Sequence, residues 1–153
     1  MRFALTFIVF LILNFSALSI GTLLMNNGPD SEWYTSLQQA PWTPVGWVFG
    51  AAWTCVMIFF SVYMTFLYQN LRANKVYILF CSQYILNVLW NFIFFNQKET
   101  FWGLIIILIL LLMTFYFLIA FKTILKNYRW FVLPYCIWLL MATSLNLYIV
   151  IYN

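Results

Sequence analysis

Five stretches of this chain, residues 3–25, 44–68, 76–95, 101–121 and 130–152, run for 20 to 25 residues without a single Asp, Glu, Lys or Arg. A helix rises about 1.5 Å per residue, so about 20 apolar residues cross the hydrocarbon layer of a bilayer. The runs are continuously apolar, which excludes the alternating pattern of a membrane β-barrel. They predict an all-α fold, an integral membrane bundle of five transmembrane helices forming one domain over residues 1–153. Only 7% of the residues are charged, against about a quarter in soluble domains, so no water-facing surface can be built around a core. The 7 basic and 3 acidic residues are also too few for a nucleic-acid patch.

The breakers fall between the runs, as in Asn26-Asn27-Gly28-Pro29-Asp30. A cleaved signal peptide would also begin with Arg2 and an apolar run, and Ala17-Leu18-Ser19 resembles its cleavage site. Apolar sequence nevertheless continues through Met25 with four spans to follow, and the first run is read as a retained helix.

Five crossings put the N-terminus, the second connection and the fourth connection on one side. That side holds Arg2, Arg72, Lys75, Lys122, Lys126 and Arg129, whereas the other holds Lys98 with Asp30, Glu32 and Glu99. Basic residues in short loops stay in the cytoplasm, so a cytoplasmic N-terminus and an external C-terminus are expected, in a bacterial-type cell membrane.

The chain has no histidine, which removes His triads, His acid–base chemistry, His metal ligation and proximal-His haem binding together. Cys55, Cys81 and Cys136 stand far apart in apolar runs and read as small buried residues. No span carries an ionisable group of the kind that ion-coupled antiporters, pumps and voltage sensors need. No metal site is expected.

Neutral polar and indole groups remain, and they cluster by depth. Counted inward from the end opposite the basic residues, Trp53 and Asn87 lie roughly 14 Å deep, Trp90 roughly 9 Å, Asn146 roughly 10 Å and Ala142 roughly 16 Å. Gln83 and Trp138 sit nearer the midplane. Helical spacing aligns Trp138, Ala142 and Asn146 on one face, and Gln83, Asn87 and Trp90 on another. Read from the residues alone, the carboxamides serve as interhelical hydrogen-bond glue or as the polar groups of a site. Trp102 and Trp130, at span starts, read as interfacial anchors. Trp53 and Trp138 lie too deep for that, and a buried indole N–H wants a partner, which Asn87 or Asn146 is placed to supply.

The longest connection, 26–42, carries Trp33, Tyr34 and Trp42, with Trp47 just beyond Pro44. It reads either as a lid over the polar layer or as a loop pinned at the headgroups by its aromatics. Ala17-x-x-x-Gly21 and Gly46-x-x-x-Gly50 permit close helix approach, within the protomer or between two. The fourth run is nearly all aliphatic and is expected to face lipid or a second subunit.

Trp33-Tyr34-x-x-Leu37-Gln38, Trp42-x-Pro44, Trp47 and Gly50-x-x-Trp53 lead into the second run; Gln83-x-x-Leu86-Asn87-x-x-Trp90 with Phe94-Phe95 marks the third. Pro134-Tyr135-x-x-Trp138-x-x-x-Ala142-Thr143-x-Leu145-Asn146 marks the fifth. Together these motifs resemble the tryptophan-rich sensory protein / translocator protein (TspO/MBR) family, also called the peripheral benzodiazepine receptor family. The resemblance implies a five-helix bundle, usually a homodimer, with a ligand cavity under the first connection. It implies binding of protoporphyrin IX and of isoquinoline-carboxamide or benzodiazepine-type molecules, and, in some bacterial members, light-dependent breakdown of protoporphyrin. Carried onto matching positions, the ligand-binding residues are Trp33, Tyr34, Trp53, Asn87, Trp90, Trp138, Ala142 and Asn146.

Two departures stand out. The family's Trp-x-Pro-Pro is Trp42-Thr43-Pro44-Val45 here, and after Tyr148 the chain reads Ile149-Val150-Ile151-Tyr152-Asn153. The sterol motif of animal members has a basic residue there, so cholesterol is not expected as the native ligand. Mitochondrial relatives are described with the C-terminus toward the cytosol, opposite to the charge count, which is kept here.

The resemblance implies a porphyrin held by stacking on indole faces and by Asn hydrogen bonds, with Trp53 and Trp138 as catalytic residues of a photochemical reaction that needs no conventional acid, base or nucleophile. No cofactor is expected to stay bound; protoporphyrin IX is ligand or substrate, and membrane lipid is the surrounding partner. A non-catalytic sensor or carrier of tetrapyrroles or lipids is the alternative. Only Lys98 is available at that end to meet two propionates, which are therefore expected to point into water or toward loop amides.

Overall fold

Each charge-free run forms a helix, because in hydrocarbon only a helix satisfies its own backbone polar groups. A computed structural model describes residues 2–153, the side chain of Arg2 excepted; Met1, within the expected domain, lies outside the described residues. In chain order the helices are α1 (Arg2–Leu24), a short α2 (Glu32–Ser36), α3 (Gly46–Asn70), α4 (Asn74–Asn91), α5 (Thr100–Ala120), a one-turn α6 (Lys122–Leu125) and α7 (Leu133–Tyr152). Five of the helical segments are long and apolar enough to cross a membrane. A π turn at Phe92–Asn96 prolongs α4, and a 3₁₀ turn at Lys126–Val132 leads into α7. The segment around 122–129, read from sequence as a plain connection, is thus mostly helical, interrupted at Lys126 (φ 49°).

The five long helices close a ring. α1 packs on α3 and α4, α4 on α5, α5 on α7, and α7 on α3. The 25–45 connection covers one end of the ring, called the upper end below. The lower end holds the start of α1, the 71–73 link and the 121–132 segment. There Arg72 lies over the Tyr68 ring at 5.2 Å and Arg129 over Trp130 at 4.5 Å, cationic heads anchored on aromatic faces as at a membrane interface.

The lower half is solid. Phe60, Tyr63, Met64, Leu67 and Phe117 are fully buried, and Phe60 touches Tyr63, Phe80, Phe117 and Tyr135 with ring centroids 5.3 to 6.3 Å apart. Tyr63 Oη donates to the Phe117 carbonyl at 2.6 Å. Buried Asn14 donates from Nδ2 to Ser61 Oγ at 2.8 Å, tying α1 to α3, and Ser61 Oγ donates on to the Met57 carbonyl at 2.6 Å. Here a carboxamide is interhelical glue.

The small-residue pairs behave differently from each other. A Cβ on Gly21 would lie 2.7 Å from Asn91 Nδ2, so α1 approaches α4 closely there. Gly46 and Gly50 have nothing within 4 Å of an added Cβ; the expectation that they draw two helices of the protomer together is corrected, because they border open space. α5 is two-faced: Leu104, Ile107 and Leu110 are buried against the ring while Leu112 and Ile119 are exposed outward.

A roofed aromatic cavity as candidate functional site

The roof begins with three consecutive residues at positive φ, Asn26 (47°), Asn27 (67°) and Gly28 (49°), residue types that tolerate the left-handed region and so reverse the chain sharply. Ser31 Oγ then accepts from the Tyr34 backbone N–H at 3.2 Å, an N-cap that starts α2. This turn buries Tyr34 against Phe94 (6.2 Å) and Phe95 (5.4 Å). Burial pushes the Tyr34 phenol above its ordinary range. Trp33 stays half-buried, edge-on to Phe94 at 5.8 Å.

Beyond α2 the roof is fastened to α7. The Gln38 N–H donates to Asn153 Oδ1 at 2.8 Å, and Asn153 Nδ2 donates back to the Gln38 carbonyl at 3.2 Å. Trp42 Nε1 donates to Ser144 Oγ at 3.1 Å, with its ring 5.5 Å from Tyr148.

Under the roof lies a cavity of about 370 Å³, a size and aromatic character typical of small-molecule sites. Roof residues Met25, Pro29, Asp30 and Tyr34 meet α1 (Leu18, Thr22) and α3 (Gly46, Phe49, Gly50, Trp53, Thr54). The far wall is the end of α4 (Trp90, Asn91, Phe94, Phe95) and α7 (Trp138, Ala142, Leu145, Asn146, Ile149). The π turn sets consecutive Phe94 and Phe95 both inside, a use of π geometry frequent at functional sites. Trp90 stacks on Phe94 at 5.3 Å, and Trp53 meets Trp138 edge-to-face at 6.3 Å. A larger hollow of about 630 Å³ runs between α1 and α4, but it is an outward furrow among exposed Leu5, Val9, Leu13 and Ile85.

The polar groups sort into used and unused. Trp90 Nε1 donates to Asn146 Oδ1 at 3.3 Å, and Asn146 Nδ2 donates to the Thr100 carbonyl at 3.2 Å. Below the cavity, Gln83 Nε2 and Asn87 Nδ2 both donate to Tyr135 Oη, at 2.7 and 2.8 Å. Trp138 is only 7% exposed, yet its Nε1–H has no partner. A buried donor left unpaired costs about 1–3 kcal/mol. A chamber walled by aromatic ring faces is complementary to a flat, largely apolar ligand.

Of the residues singled out from sequence, Tyr34, Trp53, Trp90, Trp138, Ala142 and Asn146 share the cavity wall. Trp33 and Asn87 are not part of it: Trp33 braces the roof against Phe94, and Asn87 turns to Tyr135 beneath. Neither Asn87 nor Asn146 meets the Trp138 N–H: Asn146 Oδ1 accepts from Trp90, and Asn87 Oδ1, though unmatched, makes no bond to it. Sequence reasoning missed the pivotal role of Tyr135, although Pro134-Tyr135 opens the motif now seen on α7. It also missed Phe49, one turn before Trp53, and the whole α1 wall, which bears no aromatic signal at that level.

The sequence pattern of the TspO/MBR family matches residues 6–152. This chain is 26% identical over 119 residues to the tryptophan-rich protein TspO of Bacillus cereus, covering 76% of this chain and 78% of that one. It is 30% identical to the tryptophan-rich sensory protein of Cereibacter sphaeroides, over 77% of this chain and 74% of that one. It is 26% identical to the translocator protein of Homo sapiens, over 78% and 73% of the two chains.

Proposed function

The chain belongs to the TspO/MBR family, and on that basis we propose that it is a membrane receptor or sensor for flat, aromatic, largely apolar molecules. It is an integral membrane protein. The ligands are porphyrins, protoporphyrin IX first, and isoquinoline-carboxamide or benzodiazepine-type compounds. The roofed cavity walled by Trp53, Trp90, Phe94 and Trp138 carries this reading: the ring faces supply stacking, and the buried, unpartnered N–H of the wall residue Trp138 is a donor that a small shift of the indole offers to a ligand. Trp53, edge-to-face with Trp138, gives the ligand a second oxidisable neighbour. An indole beside an illuminated porphyrin donates an electron to its excited state or intercepts the oxygen species formed there, which makes light-dependent degradation the accompanying chemistry. The working unit is a homodimer in lipid, with the roofed end outside the cell as the basic residues at the opposite end direct.

Titration with protoporphyrin, read by tryptophan fluorescence, is expected to give saturable quenching. Trp138→Phe is expected to weaken binding about tenfold, the worth of one lost hydrogen bond. Under illumination with dioxygen, porphyrin decay is expected to slow in Trp53→Phe and in Trp138→Phe. Unchanged decay in both would leave the non-catalytic carrier of tetrapyrroles or lipids as the function, and absence of saturable quenching would remove the ligand itself.

A further inference from the structure

We propose that ligand reaches the cavity sideways from the bilayer, through a slot between α1 and α3 bordered by Gly46 and Gly50. The proposal rests on the cavity's being a ligand site, and it assigns to that site a class of ligand, an amphiphile already dissolved in lipid. α1 and α3 are joined low in the bundle, by Asn14 on Ser61 at 2.8 Å and by Phe3 against Phe66 at 5.0 Å. Gly46 and Gly50 are exposed and meet nothing within 4 Å, and Thr22 and Thr54, on the two facing helices, are both exposed and both part of the cavity wall. Wall residues open to the outside on two adjacent helices mark a mouth.

Contacts close the sides toward α7. Phe49 and Trp53 close on Trp138 at 5.5 and 6.3 Å between α3 and α7. Trp90 is bonded to Asn146 between α4 and α7, and the roof is held down at Gln38 and Trp42. Electrostatics favour the same route. The upper end carries Asp30, Glu32 and Glu99 against Lys98, so an anionic amphiphile arriving from water meets like charge, whereas one arriving through lipid meets glycine and threonine. The destination is marked by a wall residue, Trp138, whose buried N–H has no partner.

The test uses the full chain in lipid vesicles, with protoporphyrin delivered from donor vesicles and stopped-flow quenching of tryptophan as the signal. A Cβ added at either glycine meets nothing within 4 Å, so Gly46→Leu and Gly50→Leu are expected to fold, which circular dichroism checks, with Gly50→Ala as a milder version. Association and dissociation should both slow about tenfold in the Leu variants, and less in Gly50→Ala. Trp42→Ala, which unfastens the roof, should leave both rates as they are. Unchanged rates in both Leu variants overturn the proposal. So does a raised Kd at unchanged association rate, which would make Gly50 a wall contact only, and so does faster association in Trp42→Ala. No saturable quenching of the wild-type chain would end the ligand reading first, and that outcome is distinguishable from the others.

Discussion

The two halves of the bundle are equally aromatic and differently finished. In the lower half, Phe60, Tyr63 and Phe117 fill the ring completely, and polar atoms there are matched, Tyr63 to the Phe117 carbonyl and Asn14 to Ser61. In the upper half, Trp53, Trp90, Phe94 and Trp138 stand around a hollow, and the Trp138 N–H and Thr143 Oγ1 go without partners. Between them lies a belt where Tyr135 takes two amide donors while Gln83 Oε1 and Asn87 Oδ1 remain unmatched. Aromatic content therefore does not identify a site. Incomplete packing together with unmet hydrogen-bonding capacity does, because interiors are otherwise close-packed and satisfied.

Truncation in the filled half should show the largest effect. Phe60→Ala removes a fully buried ring with four aromatic neighbours and is expected to cost about 3–5 kcal/mol, read as a lowered thermal midpoint in detergent. A loss under 1 kcal/mol would put this half in the same class as the hollow one. Tyr135→Phe, in the belt, strands the Gln83 and Asn87 donors and should cost about 1–3 kcal/mol in the same assay.

A glycine pair sharpens the contrast at a single residue type. Gly21→Ala drives a Cβ to 2.7 Å from Asn91 Nδ2 and is expected to destabilise by about 1–3 kcal/mol. Gly50→Ala meets nothing and should stabilise by up to about 1 kcal/mol through helix propensity. The smallest effect concerns pH. Tyr34 is raised by burial, so the folded chain keeps its phenolic proton where the unfolded chain loses it, near pH 10. The roof's stabilisation is then complete below about pH 10 and declines above it. Alkaline loosening of the roof, followed by Trp42 environment, should be blunted in Tyr34→Phe.

The spans were legible because charge is absent over lengths that match the bilayer, and boundaries such as Gly46 and Thr100 fall beside the turn residues that end each run. Depth along a helix was legible too, since rise per residue is fixed. Azimuth was not. Asn87 and Asn146 occupy similar layers, yet one faces Tyr135 and the other Trp90, a choice made by which neighbour each helix turns toward. The Gly46–Gly50 spacing was equally ambiguous, because a small side chain fits beside a close helix and beside an opening alike. Segment 122–132 coils rather than loops because its Leu125 and Val132 are buried under the bundle, a tertiary effect that its basic residues conceal.

The Asn146 carboxamide accepts from Trp90 on α4 and donates to Thr100 at the start of α5, so one residue of α7 spans three helices like the keystone of an arch. An arch stands with nothing beneath it. The spacing of α4, α5 and α7 at this level is thus set by bonds the protein makes to itself, and a wall preorganised in this way spends less on ordering.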